Sequence, residues 1–425
     1  MKKNLLSTIL VSGIIIILAA TVVILLIFMK NQPEPNRGIL PMVTVEALEP
    51  DSSIWGQNFP NQYTTMLQTA QNEDGTLYGG SYLRNKLQVD PRLLTLFAGN
   101  AFSKEYNEDR GHEYALIDVN ESLRISDKTP GTCYSCKSSD NPLLWQIMGA
   151  EAYDATPFAA LGKEITHSIG CANCHEANTL KLVVTNPALD TAFKAQGLDW
   201  TTFTRQQMRS VVCANCHVEY YMAGDGKLLT LPWENGIKIE DIARYYTDIN
   251  FKDWLHPDSG AAMIKMQHPD YELYTAGSTH YNAGVACADC HMPYTRDGSV
   301  KFSTHNIKSP LLNLAPTCGT CHTDVDYVAE RVKIIQDSVF ITMIKAEDAI
   351  VSAIDAIKKS AANANADLTL IEAARELHRQ AQLRWDFIAA ENSMGFHNPV
   401  EALRILADAI DLARQAESTA LRAVK

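Results

Sequence analysis

Cys171-Ala-Asn-Cys174-His175 is followed along the chain by Cys213-Ala-Asn-Cys216-His217, Cys287-Ala-Asp-Cys290-His291 and Cys318-Gly-Thr-Cys321-His322. Such a run is the attachment signature of a c-type haem: two thiols bond the porphyrin and the histidine binds its iron. A fifth pair, Cys133-Tyr-Ser-Cys136-Lys137, comes first in the series and carries lysine where the others carry histidine. The pairs use all 10 cysteines of the chain. The sequence therefore calls for five covalently bound haem c groups, with a chain wrapped around porphyrin as much as around its own side chains.

The lysine is the informative exception. An amine binds iron only when deprotonated, and lysine starts near a pKa of about 10.4, so it is a poor ligand where histidine would serve. A pure electron wire is expected to keep bis-histidine iron throughout, whereas a reducing enzyme needs one iron with a face open to substrate. The bland alternative is that Lys137 binds nothing, with Cys133 and Cys136 forming a disulfide or holding haem by thioethers alone. Of 12 histidines, those outside the motifs are His112, His167, His256, His268, His280, His305, His378 and His397. They supply enough distal ligands for every iron, and spacing alone does not pair them.

A net charge of −12 excludes a general nucleic-acid-binding role, which needs a basic face. Residues 5–29 carry no charge and, as a helix, would span about 37 Å, enough to cross a bilayer. Lys2 and Lys3 precede them, which keeps the N-terminus in the cytoplasm and sends the remainder outside, where haem thioether chemistry belongs. A cleaved signal peptide is the alternative, but the apolar run continues well past Ala19-Ala20. The expected organisation is a membrane anchor over 1–30, a linker over 31–45, a pentahaem domain over 46–323 and a helical region over 324–425.

Short apolar runs and frequent Gly, Pro and Asn in 46–323 predict short helices and loops, with room for a few hairpins. Beyond them, Val328, Val332, Ile335, Val339, Met343, Ala346, Ile350, Ile354 and Ile357 predict one long amphipathic helix. A second follows through Leu370, Ala374, Leu377, Ala381, Trp385 and Ile388, after a break at Asn363 and Asn365. A third opens with Asn398 as N-cap and Pro399 at the first helical position. The fold class is mainly α: a multihaem cytochrome c fold with long C-terminal helices and an N-terminal transmembrane helix.

Three further segments complete a pattern: Arg110-Gly-His-Glu-Tyr-Ala-Leu-Ile-Asp-Val-Asn-Glu-Ser-Leu-Arg124, Cys216-His-Val-Glu-Tyr-Tyr221 and Lys265-Met-Gln-His268-Pro. Together with the Lys137 motif at the head of the series, they resemble the pentahaem, ammonia-forming cytochrome c nitrite reductases from about residue 50 to 410. The resemblance implies that the haem held by Lys137 is the catalytic one, with Arg124, Tyr220 and His268 on its distal side. It implies distal ligands His112 for the third haem in sequence order, His280 for the fifth, His305 for the second and His397 for the fourth. It also implies one calcium ion held by Glu219, the Tyr220 carbonyl, the Lys265 carbonyl and the Gln267 side chain. A homodimer and a quinol-oxidising membrane multihaem cytochrome as electron donor belong to the same expectation, with nitrite as substrate. The chemistry agrees: a guanidinium and a protonatable imidazole suit an anion whose reduction builds charge on oxygen. The rival readings are an electron-transfer cytochrome without chemistry of its own and a related reductase of sulfur oxyanions.

Overall fold

The computed structural model describes residues 13–15, 17–23, 41–71, 74–108 and 110–424. The chain divides into two units, Met1–Thr44 and Val45–Lys425. In the first, residues 13–15 and 17–23 are helical. The expected membrane-crossing helix over 5–29 lies mostly outside the described residues, and no helix among those described is long and apolar enough to cross a membrane.

The second unit is mainly helical. Up to the last cysteine motif its helices are short, and the described strands form four two-stranded antiparallel pairings. The longest helix in this part is α1 (Ile239–Asp248), whose Ile239, Ile242, Ala243 and Tyr246 face inward. The tail is formed by α2 (Val325–Ala361), α3 (Leu368–Ala390) and α4 (Pro399–Arg422). Each begins at a side-chain cap: Asp324 accepts from the Tyr327 N–H, Asp367 from the Thr369 N–H and Asn398 from the Glu401 N–H.

Small residues let the tail helices approach closely. Ala346, Ala349 and Ala353 on α2, Ala374 and Ala381 on α3, and Ala402, Ala409 and Ala413 on α4 are all fully buried. The buried face of α3 departs from the expected stripe: Ile371 rather than Leu370 and His378 rather than Leu377 turn inward, joined by Arg379, Gln382 and Asp386. The reason is that α3 packs against irregular chain as well as against helices, and irregular chain presents backbone groups that need partners. Arg379 donates to the Ala262 and Phe251 carbonyls, each at 2.6 Å, and Gln382 donates to the Leu96 carbonyl at 2.7 Å. Asp386 accepts from Lys265 Nζ and from the Met266 N–H, both at 2.8 Å. Thus α3 fixes the segment that carries Gln267 and His268.

Ala409→Leu would force extra methylenes into this close-packed seam. It is expected to cost about 1–3 kcal/mol, read as a lower denaturant midpoint at unchanged haem content.

Candidate functional site

Each cysteine motif forms a single tight turn. Gly131–Tyr134, Cys171–Asn173, Cys213–Asn215 and Cys318–Thr320 are 3₁₀ turns, and Cys287–His291 is one α-turn. The N–H groups of His175, His217 and His322 donate to the carbonyl of the first cysteine of their own motif at 2.8–3.0 Å. Lys137 departs from this, its N–H donating to the Tyr134 carbonyl at 2.9 Å. Thiols of different turns also meet: Cys136 of the first turn with Cys216 of the third, and Cys213 of the third with Cys287 of the fourth.

All ten cysteines, Cys133 and Cys136 included, carry free thiols in this structure. Burial pushes the Cys174 and Cys290 thiols up to about 12, as expected of sulfurs enclosed at a cofactor wall. Cys321 is exposed, whereas the other nine cysteines are half-buried. The physical reason is its position, on the last turn before α2, where residues 320–324 run along the surface and His322 is exposed too.

Four histidines far away in sequence face the four histidine turns. Ring centroids are 6.4 Å apart for His112 and His217, 6.3 Å for His175 and His305, 6.4 Å for His280 and His322, and 6.4 Å for His291 and His397. A metal–imidazole bond is about 2 Å, so two imidazoles sharing one metal on opposite sides have centroids roughly 6 Å apart. Burial lowers His112, His291 and His305 to about 4, keeping them neutral as metal ligation requires. The Nδ1 atoms of His175, His291 and His305 lie 2.9–3.1 Å from the carbonyls of Leu180, Lys308 and Ser303, which leaves Nε2 as the ligating atom. Beside His175 a cavity of about 460 Å³ is lined by Pro142, Trp145, Val183, Val184 and Trp200, apolar surface suited to a flat cofactor. The donor set and its spacing therefore fit haem.

His397 reaches its place on a tight turn. Met394 and Gly395 both have positive φ, 50° and 75°, and a Cβ on Gly395 would meet Val339 of α2 at 2.7 Å. Burial would pull the His397 imidazole down, but Asp270 and Glu391 outweigh it and raise the group to about 10. Ligand atoms of these three residues lie within 4.8 Å of one another. The carboxylates are already met by donors: Asn392 N–H and Nδ2 on Asp270, and Ser393 N–H and Oγ and the Gly395 N–H on Glu391. The two carboxylates flank the His397 Nδ1 at 3.4 Å for Asp270 and 3.3 Å for Glu391.

Around the lysine turn the surroundings differ. Tyr220 is held well above the ordinary tyrosine range, first by burial and then by Cys136 and Cys133, with the Arg124 guanidinium acting the other way. Those residues thus lie within electrostatic reach of one another, and Arg124 also pulls down Cys133. The Arg124 guanidinium sits 4.4 Å over the Phe102 ring, and its Nε donates to Ser122 Oγ at 3.2 Å. The His268 ring lies 6.1 Å from that of His217.

Next to Tyr220 is a buried carboxylate with its own character. Glu219 Oε2 accepts the Gln267 N–H at 2.6 Å and Oε1 accepts the Tyr246 hydroxyl at 2.8 Å, while Gln267 Nε2 donates to the Lys265 carbonyl at 3.1 Å. Burial drives Glu219 well above the carboxylate range despite these donors, and nearby Glu272 adds to the effect. Glu272, itself raised to about 8 by burial, accepts the Glu219 N–H and the Trp233 indole N–H on Oε1, while its Oε2 is buried without a partner. So much unneutralised carboxylate in one place suits a bound hard cation.

His167, His256 and His378, which face none of the cysteine turns' histidines, keep structural partners: Asp140, the Thr95 carbonyl and Ser259 with Gln382, respectively. Sequence reasoning missed Asp270, Glu272, Asp386 and Glu391. Asp270 and Glu272 follow His268 at once, so the segment quoted for the resemblance ended too early. Glu391 lies six residues before His397 and gives no signal until the turn between them is built.

Raised carboxylates make stability fall with pH. The folded state keeps a proton on Glu272 up to about 8 while the unfolded chain releases it near 4.5, so stability is lost as pH rises between these values. Glu272→Gln is expected to flatten this fall, read as a smaller difference between melting temperatures taken at about pH 5 and about pH 8.

The cytochrome c552 family profile matches residues 51–425. A cytochrome c-552 of Bacteroides fragilis is 40% identical over 388 residues, covering 88% of this chain and 77% of that protein. One of Maridesulfovibrio salexigens is 36% identical over 439 residues, covering 98% and 84%. The solved cytochrome c nitrite reductase of Desulfovibrio desulfuricans, described with two calcium sites in its catalytic subunit, superposes with a TM-score of 0.84. It is 33% identical, covering 89% of this chain and 87% of that one. With five C-x-x-C turns, four facing imidazole pairs and this likeness over nearly its whole length, the chain belongs to the cytochrome c552 family.

Proposed function

We propose that the protein is an oxidoreductase that takes nitrite to ammonium in six electrons at a haem held by Lys137, fed by four bis-histidine haems. The observation that carries this reading is an asymmetry. Each histidine turn has an imidazole opposite it at 6.3–6.4 Å. The lysine turn instead has the Arg124 guanidinium and the half-buried Tyr220 phenol within electrostatic reach of its thiols. When bound, haem supplies an iron that takes nitrite and delivers electrons singly.

The protein's own groups supply binding and protons. Conversion of nitrite to ammonium and two waters consumes eight protons, and nitrogen–oxygen cleavage builds charge on oxygen. Arg124, always charged and steadied by Phe102, binds the anion and stabilises that charge. Tyr220 stays protonated far above neutral pH and so remains a hydrogen-bond donor. His268 brings an imidazole, the side-chain type suited to repeated proton transfer.

One calcium ion held by Glu219, the Tyr220 and Lys265 carbonyls and the Gln267 side chain would neutralise the buried carboxylate. It would also tie the segment of Tyr220 to that of His268. The calcium sites described for the Desulfovibrio relative support this reading. A homodimer is supported by Tyr327, Ile334 and Ile341, exposed at seven-residue spacing along α2. The family and the covalent haem chemistry support an extracytoplasmic location. Lys2, Lys3 and the uncharged run over 5–29 support an N-terminal anchor, with a quinol-oxidising membrane multihaem cytochrome as the proposed donor.

Viologen-driven nitrite reduction with ammonium quantified tests the reading. Stoichiometric ammonium is expected from the intact protein and little from Lys137→Ala at equal haem content. Arg124→Ala is expected to lower kcat by roughly 10²–10³-fold. No ammonium from a fully loaded protein would overturn the proposal in favour of an electron conduit or a sulfur-oxyanion reductase. A calcium chelator is expected to lower Tm, by more at high pH because the cation favours ionised Glu219, and to have little effect on Glu219→Gln.

A further inference from the structure

The residue just beyond His268-Pro269 brings one carboxylate onto two of the four imidazole pairs. Asp270 is buried, and its Oδ2 lies 3.1 Å from Nδ1 of His217, the ring that faces His112. Its Oδ1 lies 3.4 Å from Nδ1 of His397, the ring that faces His291. The His397 Nδ1 is shared with Glu391 Oε2 at 3.3 Å and makes a linear hydrogen bond to neither oxygen. Asp270 is itself fixed: Asn392 donates its N–H to Oδ1 at 2.7 Å and its Nδ2 to Oδ2 at 2.9 Å. The Tyr271 N–H, one residue on, donates to the His217 carbonyl at 3.1 Å, so His217 is gripped by side chain and main chain together.

The contrast with the other rings gives this contact its meaning. His175, His291 and His305 turn Nδ1 to neutral backbone carbonyls. A carboxylate draws the Nδ1 proton more strongly, makes the imidazole a better donor to the metal and favours the oxidised iron. We propose that Asp270 is a positioning residue shared by two haems, orienting the imidazoles of His217 and His397 and lowering the reduction potentials of both irons together. The proposal rests on reading the facing imidazole pairs as axial ligands. A shared carboxylate makes these two haems a matched step: a change at Asp270 moves both, and the haems of the His175–His305 and His280–His322 pairs stay where they are.

The test is a potentiometric titration of the full holoprotein, followed by optical and electron paramagnetic resonance spectra that resolve the individual haems. Asp270→Asn keeps the size and hydrogen-bonding capacity but removes the charge. It is expected to retain four low-spin bis-imidazole signals and to move the potentials of two of them upward, with Asp270→Glu restoring most of the shift. Asn392→Ala removes a competing donor from Oδ2 and is expected to move the His217 haem downward, an opposite sign that general loosening would not give. This second variant decides the matter if Asp270→Asn fails to load haem. Unchanged potentials in the loaded variants, or an equal shift of all haems, would overturn the proposal. Fewer than four low-spin bis-imidazole haems in the unaltered protein would instead overturn the ligand reading on which it stands.

Discussion

The buried carboxylate of Asp386 holds the irregular chain beneath α3, and the arrangement of the site depends on it. Its two oxygens take the Lys265 ammonium and the Met266 N–H. That ammonium is packed against the rings of Phe97, Phe102 and Tyr106 at 4.8–5.2 Å. Desolvating both charges offsets most of their attraction, so the pair is better understood as fixing position than as adding stability. What it fixes is a six-residue stretch. Lys265 offers its carbonyl, Gln267 its amide to the Glu219 region, His268 its ring beside His217, and Asp270 its carboxylate to His217 and His397. Phe102, which backs Lys265, also carries the Arg124 guanidinium on its ring, so one aromatic group connects the anchor to Arg124.

Covalent chemistry was the most legible layer. Cysteine spacing and the following residue are local signals, and the five turns sit at the five motifs. How deeply each turn sits was not legible: Cys174 and Cys321 hold the same place in the same motif, yet one is half-buried and the other exposed. The tail was nearly as clear as the motifs because its period and its caps are written in consecutive residues, down to Asn398 and Pro399. Asp386, Arg379 and Gln382 were not readable: a polar residue inside a helical stripe looks like a solvated position until the chain it serves is known. Glu219 and Glu272 show the same limit, since their character comes from burial against each other and Trp233 rather than from their neighbours in sequence.

The imidazoles differ in what lies behind them. Backbone carbonyls meet the Nδ1 atoms of His175, His291 and His305, while carboxylates meet those of His217 and His397. Backbone carbonyls place a ring at little electrostatic consequence, and carboxylates both place it and alter its basicity. The same fold can therefore present one repeated ligand type in unequal electronic settings by choosing what stands one atom further back.

The four ring closures also overlap along the chain. The loop from His112 to His217 contains His175, whose partner His305 lies outside it, and the loop from His280 to His322 contains His291, whose partner His397 lies outside it. Interleaved closures cannot be released one at a time as nested ones can: each shares a stretch of chain with at least one other that remains shut. Such a chain resists piecemeal fraying and is expected to come apart as one body, with the cofactors acting as rivets through overlapping plates.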